Sequence, residues 1–414
     1  MPGVRRDVMP ARLPVPPTRS SKPMPYAPSE PPVFTLTTGP VDAYPAVLRG
    51  LAATVLYDYD PAFQATYQRV SEKLGTLVKA ETMPVILQGE PVLGLEAAAA
   101  SLIGPDDVVL NLVNGVYSKG FAPWAARNGA SIVELAVPFD RVIDPAEVTR
   151  VLAARPDITV VAACHHDTPS GTINPIAAIG AVVAAHGALF LVDAVSSFGG
   201  MEVDAASAKI DMLITGPNKC LGCPPGLSIL GVSNRAWAAM KANKRAPRDS
   251  ILSVLDWEDA WRADKPFPFT PSVAEINGLE AAIDLYLAEG PEKVWARHAL
   301  TAAACRAGLK AMGLAIWPAD ESFASPTATA VRTPEGVDEA ELRATARARY
   351  GVVLSSGRGE TLGRLTRIGH MGPTAQPLYA VVALAALGGA LGALGHKVDI
   401  GAGIAAAMAA IDAG

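Results

Sequence analysis

Between about residues 60 and 275, short apolar runs alternate with longer Ala-rich amphipathic stretches. Pro84–Leu87, Val108–Leu112, Ser131–Leu135, Thr159–Ala163, Ala188–Val192, Met212–Thr215 and Leu227–Gly231 read as strands. The stretches between them, such as Leu93–Ile103 and Ile176–His186, are long enough for helices. This alternation predicts an α/β fold with a mainly parallel, seven-stranded sheet and helices on both faces. In such sheets ligands gather at the carboxyl ends of the strands. Chemistry is therefore sought at Gln88-Gly-Glu90, Asn114-Gly-Val-Tyr117, His165-His-Asp-Thr168, Asp193 and Lys219.

After Asn277 the pattern changes. Helical stretches over Gly278–Glu289 and Glu292–Met312 lead into short strands and helices from Ala315 to the end, which predicts a smaller α+β domain. The expected division is a large domain over 33–276, with 33–60 as its N-terminal segment, and a small domain over 277–414. Leu378–Gly395 carries no charge, but it is built largely of Ala and Gly, with Gly388-Gly389 in its middle. It lacks the Leu, Ile and Phe density of a membrane span and reads as a closely packed buried helix pair.

Residues 1–32 hold ten prolines and almost no apolar period, so a disordered or extended arm is expected. Met24 is a candidate start. Five basic residues lie in this arm, leaving 30 basic against 38 acidic in the body. An acidic body argues against nucleic-acid binding. With 50% hydrophobic residues in 414, the chain can bury a large core. No apolar leader follows Arg5 and Arg6, so a cytoplasmic location is expected. Cys164, Cys220, Cys223 and Cys305 are too few and too irregular for a disulfide framework. The Cys220/Cys223 pair has no second pair or nearby His to complete a metal site, so none is expected.

The strongest chemical signal is Thr215-Gly-Pro-Asn-Lys-Cys-Leu-Gly-Cys-Pro-Pro-Gly226, which follows the buried-strand candidate Met212–Thr215. A lysine held in a Gly/Pro turn away from solvent loses its proton more easily, and the free amine can attack an aldehyde. Asp193 ends another apolar run 26 residues earlier, and Arg367 lies in Arg-Ile-Gly-His-Met-Gly372. Ser355-Ser-Gly-Arg-Gly-Glu360 adds Arg358 among glycines.

This ordered set resembles the fold-type I enzymes that use a pyridoxal group, and within them the class V aminotransferases, over nearly all of Thr37–Ile411. The resemblance implies a role for each residue. Lys219 would form the Schiff base and shuttle the proton during transfer. Asp193 would pair with the pyridine nitrogen, Tyr117 would stack on the ring face, and Thr168 would approach the ring hydroxyl. Arg358 and Arg367 would hold the substrate carboxylate. Thr270 would reach the site of a partner subunit, which implies a homodimer or homotetramer. His165, His166 and His370 are read as hydrogen-bonded core residues.

Three positions depart from the family. Its members place a Ser-Gly-His type sequence around the cofactor phosphate at a helix start, where this chain has Gln88-Gly89-Glu90. A carboxylate at ~4 Å from a phosphate charge costs roughly 4 kcal/mol at an effective dielectric near 20. Asn218 stands where the family has Gln, and Phe267-Pro-Phe-Thr270 stands for its Tyr-x-x-Thr. These departures lead to the expectation that no cofactor is tightly bound and that the free vitamin is the substrate, with Glu90 beside its hydroxymethyl group. Tyr57-Asp-Tyr-Asp60 and Gly89–Glu96 resemble the branch of the family that works this way. The implied reaction is pyridoxamine + pyruvate ⇌ pyridoxal + L-alanine, a step of vitamin B6 degradation.

Two alternatives stay open. An ordinary pyridoxal-phosphate-dependent alanine–glyoxylate or serine–pyruvate aminotransferase would need no added pyridoxamine. A non-catalytic pyridoxal-binding sensor would bind without turnover, and the proline-rich arm leaves little room for the DNA-binding module that usually accompanies one. A cysteine desulfurase would need a mobile loop cysteine, whereas Cys305 lies in a helical pattern.

Overall fold

The computed structural model of the chain describes residues 34–414. The arm expected over 1–32, with Met24, lies outside the described residues. The central sheet consists of β1 (Val85–Gln88), β2 (Val108–Val113), β3 (Ser131–Ala136), β4 (Val160–Cys164), β5 (Leu189–Asp193), β6 (Met212–Thr215) and β7 (Leu227–Val232). Their spatial order is β1-β7-β6-β5-β4-β2-β3. β7 is antiparallel to both neighbours and every other pair is parallel. β4, β6 and β7 are buried at every position, as continuous apolar runs require. β3, on the edge, reaches solvent at Ser131, Glu134 and Ala136.

The helices are, in chain order, α1 (Pro45–Leu51), α2 (Pro61–Val78), α3 (Pro91–Leu102), α4 (Val116–Lys119), α5 (Ala122–Arg127), α6 (Pro145–Ala154), α7 (Ile176–His186), α8 (Asn234–Ala242) and α9 (Val273–Glu289). They continue with α10 (Pro291–Ala311), α11 (Glu339–Tyr350), α12 (Pro377–Ala393) and α13 (Ile400–Ala413). Their starts follow local chemistry. The side chains of Asp60, Asp144, Ser233 and Asp338 each accept a first-turn N–H. Proline follows directly at Pro61 and Pro145, where a missing N–H costs nothing.

Two hydrophobic cores divide the chain differently from the expected boundary at 276/277. That boundary falls inside α9, whose Val273, Ile276, Leu279 and Ile283 pack with the sheet's core. The change of core occurs along α10: Val294 belongs to the first, and Ala304, Cys305 and Leu309 to the second. The second core also receives Leu36, because Phe34–Thr35 pairs in parallel with Val352–Val353. A three-stranded antiparallel sheet, β8 (Ala328–Arg332), β9 (Ser355–Ser356) and β10 (Leu365–Gly369), runs in the order β8-β10-β9.

The uncharged stretch Leu378–Gly395, read above as a helix pair, is mostly one continuous helix, α12, packed on α10, α11 and α13. Its glycines serve close approach. A Cβ on Gly388 would come within 2.7 Å of Ile400 and Met312, and one on Gly389 within 2.3 Å of the Tyr350 hydroxyl. Among the described residues no helix is long and apolar enough to cross a membrane.

Candidate active site

β1 to β6 run in one direction, so their carboxyl ends share one edge of the sheet. Asp193 closes β5, the turn carrying Lys219 follows β6, and Tyr117 sits in α4 just after β2. Thr168 lies in a short hairpin after β4, and Glu90 follows β1 directly. The second core supplies Arg367 from β10 and Arg358 from the loop after β9.

Lys219 is covered by a segment that sequence reading did not assign to the site. Its Nζ donates to the Thr38 carbonyl. A Cβ on Gly39 would lie 2.0 Å from that Nζ, and Gly39 has φ +129°, so glycine is required twice over. The Thr-Gly-Pro sequence at 38–40 is the signal that could have pointed here. Burial lowers the Lys219 pKa to about 8, and the Arg367 charge adds to the effect. At neutral pH about a tenth of the lysine is therefore free amine, far more than for an ordinary lysine.

Asp193 accepts the Val195 N–H at 2.9 Å. Burial raises its pKa to about 6, with the charge of Asp167 acting in the same direction. A cationic partner such as a protonated pyridine nitrogen would restore the anion. Arg367 is buried, and its Nε donates to the Ser356 carbonyl at 2.7 Å. Burial lowers its pKa, and the Arg358 charge adds to that. Arg358 is exposed, with its guanidinium 5.7 Å from the centre of the Tyr117 ring. Two cations held this close favour an anionic ligand between them.

Several buried polar atoms have no partner among the described residues: Thr168 Oγ1, Asn218 Oδ1, His165 Nδ1 and His166 Nε2. Buried polar atoms are normally satisfied, so orphans around Lys219 and Asp193 point to a polar ligand completing them. The lysine amine, the carboxylate and the Thr168 hydroxyl fit the aldehyde, ring nitrogen and hydroxyl of a pyridoxal ring. His166 and His370 are hydrogen-bonded core residues through Ser196 and Thr327, and through Thr329. Burial depresses their pKa values to about 3. His165 differs from the expectation, since its Nδ1 is an orphan. A cavity of about 580 Å³ lined by His165, Ile176, Met201 and Val203 contains none of Lys219, Asp193 and Arg367. The convergence of charged groups identifies the site where cavity size does not.

The other end of the site looks different. Glu90 is exposed and stands at the start of α3 without capping it through its side chain. It lies near enough to Lys219 for its charge to favour the ammonium form slightly. Thr270 is exposed and makes no hydrogen bond among the described residues. Phe267, aligned by sequence with a ligand-facing tyrosine, is instead buried against Phe63, Tyr67 and Trp257. Asp167, unassigned by sequence reading although its stretch was singled out, is fully buried beside Tyr117.

The family profile described as Aminotransferase class-V matches residues 42–371. The pyridoxamine–pyruvate transaminase of Mesorhizobium japonicum is 68% identical over 382 residues, 92% of this chain and 97% of that protein. The crystal structure of pyridoxamine–pyruvate aminotransferase from Mesorhizobium loti superposes with a TM-score of 0.93 at 67% identity, covering 94% of this chain and 99% of that one. Ureidoglycine–glyoxylate aminotransferase from Bacillus subtilis gives 0.87 at 31%, covering 91% and 97%. Class V aminotransferases of this fold depend on pyridoxal phosphate. That finding corrects the expectation that no cofactor is tightly bound. The expectation rested on three departures near the phosphate end. One of them, Phe267, faces the core, and another, Glu90, is exposed, where solvent screens its charge.

Proposed function

This chain belongs to the class V aminotransferases, and from that premise we propose that it transfers an amino group between pyridoxamine and pyruvate, giving pyridoxal and L-alanine. The observation that carries the reading is the convergence of a buried lysine amine, a buried-end carboxylate and paired arginines at one strand edge. The identity to the Mesorhizobium transaminase over almost the whole length supports the choice of substrates.

The chain's residues divide the work. Lys219 Nζ, whose pKa burial lowers to about 8, would bind the aldehyde through its free-amine form and then hold and return the proton moved between the two carbons. Asp193 keeps a proton on the pyridine nitrogen. Tyr117 would cover one ring face, and the Thr168 hydroxyl would meet the ring hydroxyl. Arg367, with Arg358 beside it, takes the pyruvate or alanine carboxylate and orients the reacting carbon toward Lys219. When bound, the pyridoxal group supplies an electron sink. Glu90 would lie toward the hydroxymethyl or phosphate end of the group. Thr270 serves a partner's site in a cytoplasmic homodimer or homotetramer. The reaction takes part in vitamin B6 degradation.

The test is an assay of the purified protein with pyridoxamine and pyruvate, beside alanine with glyoxylate. Formation of pyridoxal and L-alanine in equal amounts is expected. Transfer from alanine to glyoxylate with no pyridoxal formed from pyridoxamine would overturn the reading.

A further inference from the structure

Asp167 is a carboxylate with no role in the reaction as described, yet it is completely buried and forms no ion pair with any described residue. Its oxygens accept the N–H groups of Val116 at 3.2 Å, Tyr117 at 2.9 Å and Ser118 at 3.0 Å. The Ser118 hydroxyl adds a contact at 3.2 Å. The three N–H groups open α4, a helix of four residues that cannot satisfy its own first turn. Gly115, just before it, admits the carboxylate: a Cβ there would lie 2.1 Å from Asp167 Cγ.

An acceptor-only group is what three converging N–H donors, with the Ser118 and Ser170 hydroxyls beside them, require. Asn would turn an NH2 toward some of them and leave buried donors unpaired. The amides in turn stabilise a charge that no cation neutralises by direct contact. The backbone of Tyr117 therefore hangs on Asp167, and with it the pitch of the ring that Arg358 overlies. Thr168, the next residue along, is carried by the same hairpin.

We propose that Asp167 is a positioning residue for Tyr117: by capping α4 from across the hairpin, it fixes the aromatic ring against the ligand face. The proposal rests on the transaminase reading, in which Tyr117 covers the pyridine ring.

Three measurements decide it. In the protein without ligand, Asp167→Asn speeds hydrogen exchange at the amides of Val116 to Ser118 by at least about tenfold, because their acceptor is lost. In pyridoxal titrations followed by absorbance, Asp167→Asn weakens affinity about tenfold in the wild-type background and has no further effect in Tyr117→Ala. Should Asp167→Asn fail to fold, Ser118→Ala, which removes the hydroxyl contact to Asp167 together with its bonds to the Asn114 and Gly115 backbone but keeps the three N–H bonds to Asp167, accelerates the same amides less strongly. Unchanged exchange at those amides, or an equal affinity loss with and without the Tyr117 ring, overturns the proposal. A wild-type protein that does not bind pyridoxal refutes the proposed function, while the exchange measurement still judges Asp167.

Discussion

The two ends of the site are built on different principles. At the lysine end the chain completes its own environment: Lys219, Asp193 and Arg367 are drawn from three different elements, and burial shifts all three pKa values. At the other end Glu90 and Thr270 are exposed and make no side-chain hydrogen bond among the described residues. Exposed Tyr57, Tyr59 and Phe269 belong to the same two segments of chain that sequence reading tied to ligand and partner recognition. Burial makes the first end reactive before any ligand arrives. The second end depends on whatever binds there, so its contributions are screened and smaller.

The largest effect is expected at the reactive end. Lys219→Ala lowers turnover by at least about a thousandfold, since it removes both nucleophile and proton carrier, and a steady-state assay reads it. The rate of pyridoxal capture by the wild type, followed by absorbance, rises with pH and levels off above about 8, where Lys219 has lost its proton. A rate independent of pH between 6 and 9 would separate burial from reactivity. Arg367→Lys loses the two-pronged carboxylate contact and raises the KM for pyruvate by about 10- to 100-fold. A similar rise in the KM for pyridoxamine would place Arg367 elsewhere in the site.

At the exposed end, Glu90→Gln shifts the preference for pyridoxamine over its phosphate ester by only about fivefold. This is the ~1 kcal/mol expected of like charges at ~4 Å in solvent. A hundredfold change in the ratio of kcat/KM values would mean that a partner subunit or ligand seals this end. A separate effect concerns stability. Burial holds His165, His166, His298 and His370 neutral, with pKa values of about 3 to 4. The unfolded chain takes up protons near pH 6.5 while the folded chain does not, so stability falls as pH drops from about 6.5 toward 4. The urea midpoint should therefore be lower at pH 5 than at pH 7. Asp193, raised to about 6, opposes this in part.

All seven sheet strands were legible from apolar runs, each within one residue at either end; most are buried on both faces and cannot hide their composition, and the edge strand β3 still carries Ile132, Val133 and Leu135. The lysine, the aspartate and the late arginine were legible because their spacing forms an ordered set. Thr38 and Gly39 were not, since their role depends on a segment folding back over a turn about 180 residues away. The burial of Phe267 was not legible either, because a motif does not say which way a ring points.

The sequence alone determined the alternating architecture, the family and the residues that meet at the carboxyl edge. The architecture follows from local hydrophobic period, and the family and the site residues from the resemblance of an ordered set of motifs. Only the tertiary structure decided the degree of burial. It encloses Lys219 under Gly39, leaves Glu90 in solvent and places Asp167 beneath Tyr117. Burial sets the effective dielectric around a charge, and it depends on contacts between segments far apart in the chain.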